Sequence, residues 1–205
     1  MEFVIKIYDR PEAAALRDVH RKAHLDYLKG FDDVTRFAGP FLTDDGKLEL
    51  GSFRILDLPD RSAAEEHVAN EPFIIEGIQE RPSIHRWRAT VPYSWRDCPR
   101  KEGNLQFYVH ALDKADGGAI RKSLHEEHKA YLTGHGDSVM VRGPLVTDDG
   151  ETRNGSVLLF DFPDIEAARA FWAEEPYNRA GLYESVEFYA WRFGRVFDRF
   201  KTPVS

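Results

Sequence analysis

Apolar and polar residues alternate over residues 3–8 and again over 107–112, the period of two expected of a strand. Helix formers follow each run. Over residues 11–27 they predict a stripe of Leu16, Val19, Ala23 and Tyr27, and over 116–131 a more polar stripe of Ile120, Ser123, Glu127 and Tyr131. Gly30 and Gly134 read as left-handed residues that end these helices. Second strands are expected at 34–38 and 139–141 and third strands at 53–58 and 157–162, with the turn signals Asp44-Asp45-Gly46 and Asp148-Asp149-Gly150 before the third. Asp60 and Asp164 follow a proline and precede an Ala-Ala pair, which predicts carboxylate-capped helices. These stop near Glu71-Pro72 and Glu175-Pro176, because a residue before proline is pushed out of helical dihedrals. A last strand carries Trp87-Arg88 or Trp191-Arg192. The order β-α-β-β-α-β therefore occurs twice, and such an order folds with both helices on one face of a four-stranded antiparallel sheet.

The two passes are copies. Gly39-Pro40, Thr43-Asp44-Asp45-Gly46, Gly51-Ser52, Asp57, Pro59-Asp60 and Glu71-Pro72 recur 104 positions later as Gly143-Pro144, Thr147-Asp148-Asp149-Gly150, Gly155-Ser156, Asp161, Pro163-Asp164 and Glu175-Pro176. An uninterrupted register over about ninety positions marks an internal duplication. Repeat 1 is expected at 1–92, a linker at 93–104 and repeat 2 at 105–205. Each sheet leaves one face in need of cover and the chain carries two matched sheets, so a fused homodimer is expected, one chain closing the barrel that two would otherwise form. Assembly of further copies on exposed sheet edges stays open.

Composition narrows the function classes. Hydrophobic residues make up 42% of the 205 and charged residues 31%, an ordinary globular balance without an apolar run long enough to cross a bilayer. The start goes directly into strand-like sequence without a basic then apolar leader, so no membrane association and a cytoplasmic location are expected. A net charge of −7 and the absence of basic runs interleaved with aromatics argue against nucleic acid. Cys98 stands alone in the linker, which excludes an internal disulfide and a cysteine metal cluster.

Of the eight histidines, only His24 and His128 occupy equivalent positions in both copies. An imidazole exchanges protons near neutrality and a neighbouring carboxylate fixes its tautomer, so these two are the candidate general bases. Asp9 and Asp113 end the first strands and are the expected orienting partners. Arg17 and Arg121 precede the histidines at i to i+7, on the same helix face. They either bind a substrate carboxylate or enolate, or form ion pairs with Asp9 and Asp113. His20 with His24 and His125 with His128 have spacings that permit a shared metal, but the repeat does not preserve position 20, and no metal is expected. The Asp-Asp-Gly pairs are read as hairpin turns, Gly39 and Gly143 as close backbone approaches, and Trp87 and Trp191 as core or interface residues. No phosphate loop, dinucleotide fingerprint or nucleophile elbow is present, and no cofactor is expected.

Asp9, Arg17, His24, Tyr27-Leu28, Gly39-Pro40, Gly51-Ser52, Ala63-Ala64, Pro72-Phe73 and Gly77, with Asp113, Arg121, His128, Tyr131-Leu132, Gly143-Pro144, Gly155-Ser156, Pro176-Tyr177 and Ala180-Gly181 in the second copy, together resemble the YCII-related (YciI-like) family. The resemblance implies an α+β fold, tandem ferredoxin-like βαββαβ units forming an intrachain dimeric α+β barrel, and an acid–base site built around the helix histidine and an aspartate. The family usually has Asp before the Pro-Tyr pair, where this chain has Glu71 and Glu175. With Arg17, Arg121 and Tyr177 these two acids are the expected substrate-binding residues. The implied activity is that of a cofactor-independent lyase, isomerase or cyclase acting on a small hydroxylated aromatic or polyketide-like molecule, with His128 and Asp113 favoured over His24 and Asp9. The alternative is a non-catalytic small-molecule-binding or accessory module of the same fold.

Overall fold

The computed structural model describes residues 1–200; positions 201–205 of the second expected repeat lie outside the described residues. The chain divides into two compact units, one of residues 1–86 with 192–200 and one of residues 87–191. The first runs β1 (Glu2–Asp9), α1 (Ala13–Lys29), β2 (Thr35–Leu42), β3 (Glu49–Asp57), α2 (Arg61–Ala69), the single turn α3 (Pro72–Ile75) and β4 (Gln79–Trp87), which reaches the unit boundary. The second repeats this as β5 (Leu105–Asp113), α4 (Gly118–Ser123), α5 (His125–Gly134), β6 (Val139–Val146), β7 (Arg153–Phe162), α6 (Ile165–Glu174), the single turn α7 (Pro176–Arg179) and β8 (Tyr183–Trp191). Among the described residues no helix is long and apolar enough to cross a membrane.

Within each unit the strands are antiparallel. In the second, β5 lies between β7 and β8, with His110 opposite both Val157 and Glu187, and β6 pairs the outer side of β7. In the first, β3 lies between β1 and β2, with Ile55 opposite Val4 and Phe37. Alternate residues Phe3, Ile5 and Ile7 of β1 share a buried cluster with Leu56, Leu58, Ala64 and Val68, which binds α2 to the sheet. Burying one such aliphatic side chain stabilises by about 1.5–3 kcal/mol, so the alternation read from sequence is what holds helix to strand.

The caps and turns follow local chemistry. Asp60 Oδ1 accepts from Ala63 N at 2.9 Å and Asp164 Oδ1 from Ala167 N at 2.7 Å, starting α2 and α6 as expected. Gly46 and Gly150 take φ of 71° and 82°, the left-handed conformation that their Asp-Asp-Gly turns demand.

Several local expectations are corrected. The face of α1 that faces inward is Ala13, Arg17, His24 and Leu28, whereas Leu16 and Val19 are 48% and 73% exposed. Buried ion pairs, not apolar residues, decide which way this helix turns. Gly30 is right-handed at φ −65° and Gly134 is the last residue of α5, so neither is a left-handed terminator. The first helix of the second repeat is broken at Leu124 into α4 and α5. The second strands also run on through Gly-Pro to Leu42 and Val146. Residues 192–200, including the 3-10 helix Arg195–Phe200, pack with the first unit, not with the second repeat they follow. Trp87 and Trp191 are each 2% exposed and Cys98 is buried, its thiol pushed up to about 11 by burial.

Candidate active site

Each unit folds a histidine, an arginine, two acids and an aromatic ring into one cluster. In the second unit, Asp113 at the end of β5 accepts from Arg121 of α4 through both oxygens at 2.6 Å, and Arg121 also donates to Ser156 Oγ at 3.1 Å. Two turns on, His128 of α5 brings Nδ1 to 2.6 Å from Glu175 Oε1. Glu175 is fully buried and caps α7, its Oε1 accepting from Tyr177 N at 3.1 Å and its Oε2 from Asn178 N at 2.9 Å. A carboxylate only accepts, so Nδ1 carries the proton and Nε2 is left with its lone pair. Nε2 has no hydrogen-bond partner among the described residues. The Tyr177 ring stacks on His128 with centroids 4.1 Å apart and lies 4.8 Å from the Arg121 guanidinium carbon. Its hydroxyl donates to Arg121 O at 2.9 Å.

The first unit repeats the constellation: Asp9 with Arg17 at 2.6 and 3.0 Å, His24 Nδ1 with Glu71 Oε1 at 2.6 Å, and Phe73 stacked on His24 at 4.0 Å. The expected His/Asp pairing is therefore corrected in both units. Asp9 and Asp113 belong to the arginines, the alternative that the spacing had left open, and the histidines pair with Glu71 and Glu175. Both glutamates are fully buried behind their histidines. Spacing in the sequence does not separate the two acids, since each Glu follows its His by 47 residues and each Asp precedes it by 15 in both copies.

The units differ in what surrounds this frame. In the second, a cavity of about 230 Å³ opens beside His128, lined among others by Leu132, Pro144, Leu158 and Tyr177. In the first, the matching space shrinks to about 40 Å³. Arg54, at the position of Leu158, is 1% exposed and donates to His67 Nε2 at 3.0 Å and Ser52 Oγ at 3.2 Å. Glu49, at the position of Arg153, accepts from Arg17 at 2.6 Å and pairs with Arg192. Residues Arg192, Gly194, Arg195 and Val196 complete the wall.

Electrostatics separates them further. Burial pushes the His24 imidazole below its ordinary range although Glu71 opposes this, and burial with the Arg54 charge pushes His67 down to about 3. Burial also raises Glu71, but the His24 hydrogen bond and the Arg54 charge hold it below the usual carboxylate value. Glu71 Oε2 has no hydrogen-bond partner, unlike the capping Oε2 of Glu175. In the second unit burial raises the phenols of Tyr177 and Tyr183, so both are held protonated, Tyr183 donating to Ser156 Oγ at 3.2 Å. His125 Nδ1 sits 3.4 Å from the Tyr177 hydroxyl, and no three His, Cys, Asp or Glu side chains converge as a metal-ligand set among the described residues.

The YCII-related domain model matches the chain twice, at residues 1–88 and 105–192. Protein YciI of Escherichia coli O6:H1 is 32% identical over 89 residues, which span 40% of this chain and 91% of that protein. A 5-chloro-2-hydroxyhydroquinone dehydrochlorinase from Burkholderia phenoliruptrix AC1100, solved with 2,5-dihydroxybenzoquinone, is 29% identical over 43% of this chain and 94% of its own, with a TM-score of 0.40. A variant chlorite dismutase from Candidatus Nitrospira defluvii superposes over 97% of this chain and 94% of its own with a TM-score of 0.62 at 8% identity. That likeness concerns the fold, which is the α+β class expected from sequence: tandem ferredoxin-like units of the dimeric α+β barrel type. By two matches that together cover most of its length, the chain belongs to the YCII-related domain family.

Proposed function

We propose that this protein is a cofactor-independent acid–base enzyme acting on a small organic molecule in the cavity beside His128, by elimination, isomerisation or cyclisation. One observation carries the reading: His128 lines a cavity of about 230 Å³ while its Nδ1 is held by a fully buried carboxylate. That hydrogen bond fixes the tautomer that leaves Nε2 basic, and Glu175 stabilises the imidazolium formed when Nε2 takes a proton. Arg121, tied to Asp113 and Ser156, keeps the stacked Tyr177 ring in place against the imidazole. A proton taken from carbon beside a carbonyl or ring hydroxyl would leave an enolate or phenolate, and the guanidinium groups of the wall favour that charge. The first unit has the same frame with its cavity reduced to about 40 Å³ and its imidazole pushed toward the weakly basic side, which supports a structural role for it.

The test is turnover of a panel of hydroxylated aromatics by His128→Ala and, separately, His24→Ala. Losing a positioned general base costs about 10²–10⁴-fold. We expect that loss from the His128 variant and a change of no more than a few-fold from the His24 variant. Unaltered turnover in both would eliminate the His128 acid–base reading.

A further inference from the structure

The three cations that distinguish the second cavity have no counterpart in the first. Lys129, Arg142 and Arg153 line the His128 cavity, and the equivalent positions in the first unit hold Leu25, Ala38 and Glu49. None of the three has a carboxylate partner among the described residues. Arg142 donates to Thr133 Oγ1 at 3.1 Å through one nitrogen, while its Nη1 is buried and has no hydrogen-bond partner. A guanidinium that has no carboxylate partner and stands at a cavity wall is a ready charge-assisted contact for an anion. No acid lines this cavity among the described residues, although the chain as a whole carries a net charge of −7. Local charge therefore runs against the global balance, and it does so where Leu132, Pro144 and Leu158 supply an apolar wall.

We propose that the His128 cavity selects a small organic carboxylate, its apolar ring or chain against Leu132, Pro144 and Leu158 and its carboxylate on Arg142 and Arg153. The apolar wall favours a carboxylic acid with a carbon skeleton over inorganic phosphate. Lys129, exposed on α5, adds to the positive field at the mouth. The proposal rests on the acid–base reading only in calling this molecule a substrate; the anion selectivity itself stands without it.

Calorimetric binding to the full chain tests it with three probes: 2,5-dihydroxybenzoate, its uncharged methyl ester, and inorganic phosphate. We expect the acid to bind at least about tenfold more tightly than the ester, given one charge-assisted contact to a desolvated guanidinium. Arg142→Gln should weaken the acid by about tenfold and leave the ester unchanged. Arg153→Gln, at an exposed position where folding is not at stake, should weaken the acid a few-fold, and added salt should do the same. Equal affinity for acid and ester, tighter binding of phosphate than of the acid, no binding of the acid at millimolar concentration, or indifference of acid binding to both substitutions would each overturn the proposal. His128→Ala separates the two readings. Arginine-dependent binding with unaltered turnover in that variant would keep the anion site and remove the base; turnover lost with no preference for the acid would do the reverse.

Discussion

Lowering the pH should unfold the first unit through His67, and the size of the effect can be worked out. His67 is 2% exposed, takes a hydrogen bond from the buried Arg54, and is pushed down to about 3 by burial and by that charge. In the unfolded chain the same imidazole titrates at its ordinary value of 6.5. The folded state binds fewer protons between these values, so the stability is complete above about pH 6.5 and is lost as the pH falls toward 3. Two pH units below 6.5, at ~1.4 kcal/mol per unit, give a loss of about 2–3 kcal/mol at pH 4.5. His24, also shifted down, adds loss in the same direction. The perturbation is His67→Phe, the residue that the second unit carries at position 171. Urea unfolding of both proteins at pH 7.0 and 4.5, followed by circular dichroism, reads the difference in slope. The variant starts from a lower stability, since Arg54 loses an acceptor, but its loss between the two pH values should be smaller than the wild type's by those 2–3 kcal/mol. Should His67→Phe fail to fold, Arg54→Leu/His67→Phe restores the apolar pair of the second unit and permits the same comparison. Equal losses in wild type and variant would refute a buried neutral His67.

Two further outcomes follow from geometry. Glu175→Ala leaves His128 Nδ1 and two backbone N–H groups without their acceptor and should cost about 3–5 kcal/mol, while Glu175→Gln, which retains an acceptor, should cost about 1–2; thermal unfolding that ranks Gln at or below Ala would contradict the capping role. A Cβ at Gly155 would lie 2.5 Å from Ala111 O across the β5–β7 ladder, so Gly155→Ala should destabilise by about 1–3 kcal/mol, whereas Gly134→Ala, with open space around it at the end of α5, should be neutral or mildly stabilising; the reverse order of unfolding midpoints would show the ladder to be looser than described.

Much of the fold was legible because it is written in local, repeated terms: strand alternation, the Asp60 and Asp164 caps, and the Asp-Asp-Gly turns are each decided within a few residues. The α1 stripe departs from the apolar periodicity for a physical reason. Periodicity assumes that apolar groups face inward, yet Arg17 and His24 do so because acids from β1 and from the start of α3 wait for them, a fact no window of neighbouring residues contains. The candidate site was legible as a set of residues and not as a set of pairs. Asp9, Arg17, His24 and Glu71 all recur in the second copy, so duplication alone cannot say which acid serves which base. The strand-end aspartate meets the arginine eight residues on, and the more distant glutamate meets the histidine. The filling of the first cavity was hidden too, because Arg54 in place of Leu158 and Glu49 in place of Arg153 look like ordinary surface divergence until burial is known.

The matched histidines give the molecule its own reference channel. His24 and His128 hold equivalent helix positions, each with a stacked ring and a glutamate at an equal separation, yet the space beside His128 is about 230 Å³ and that beside His24 about 40 Å³. In a spectrum that resolves both imidazoles, drift in temperature, salt or buffer should move the two signals together. A ligand in the cavity should move one alone, so occupancy can be read as a difference between two nuclei in one chain without a second sample for comparison.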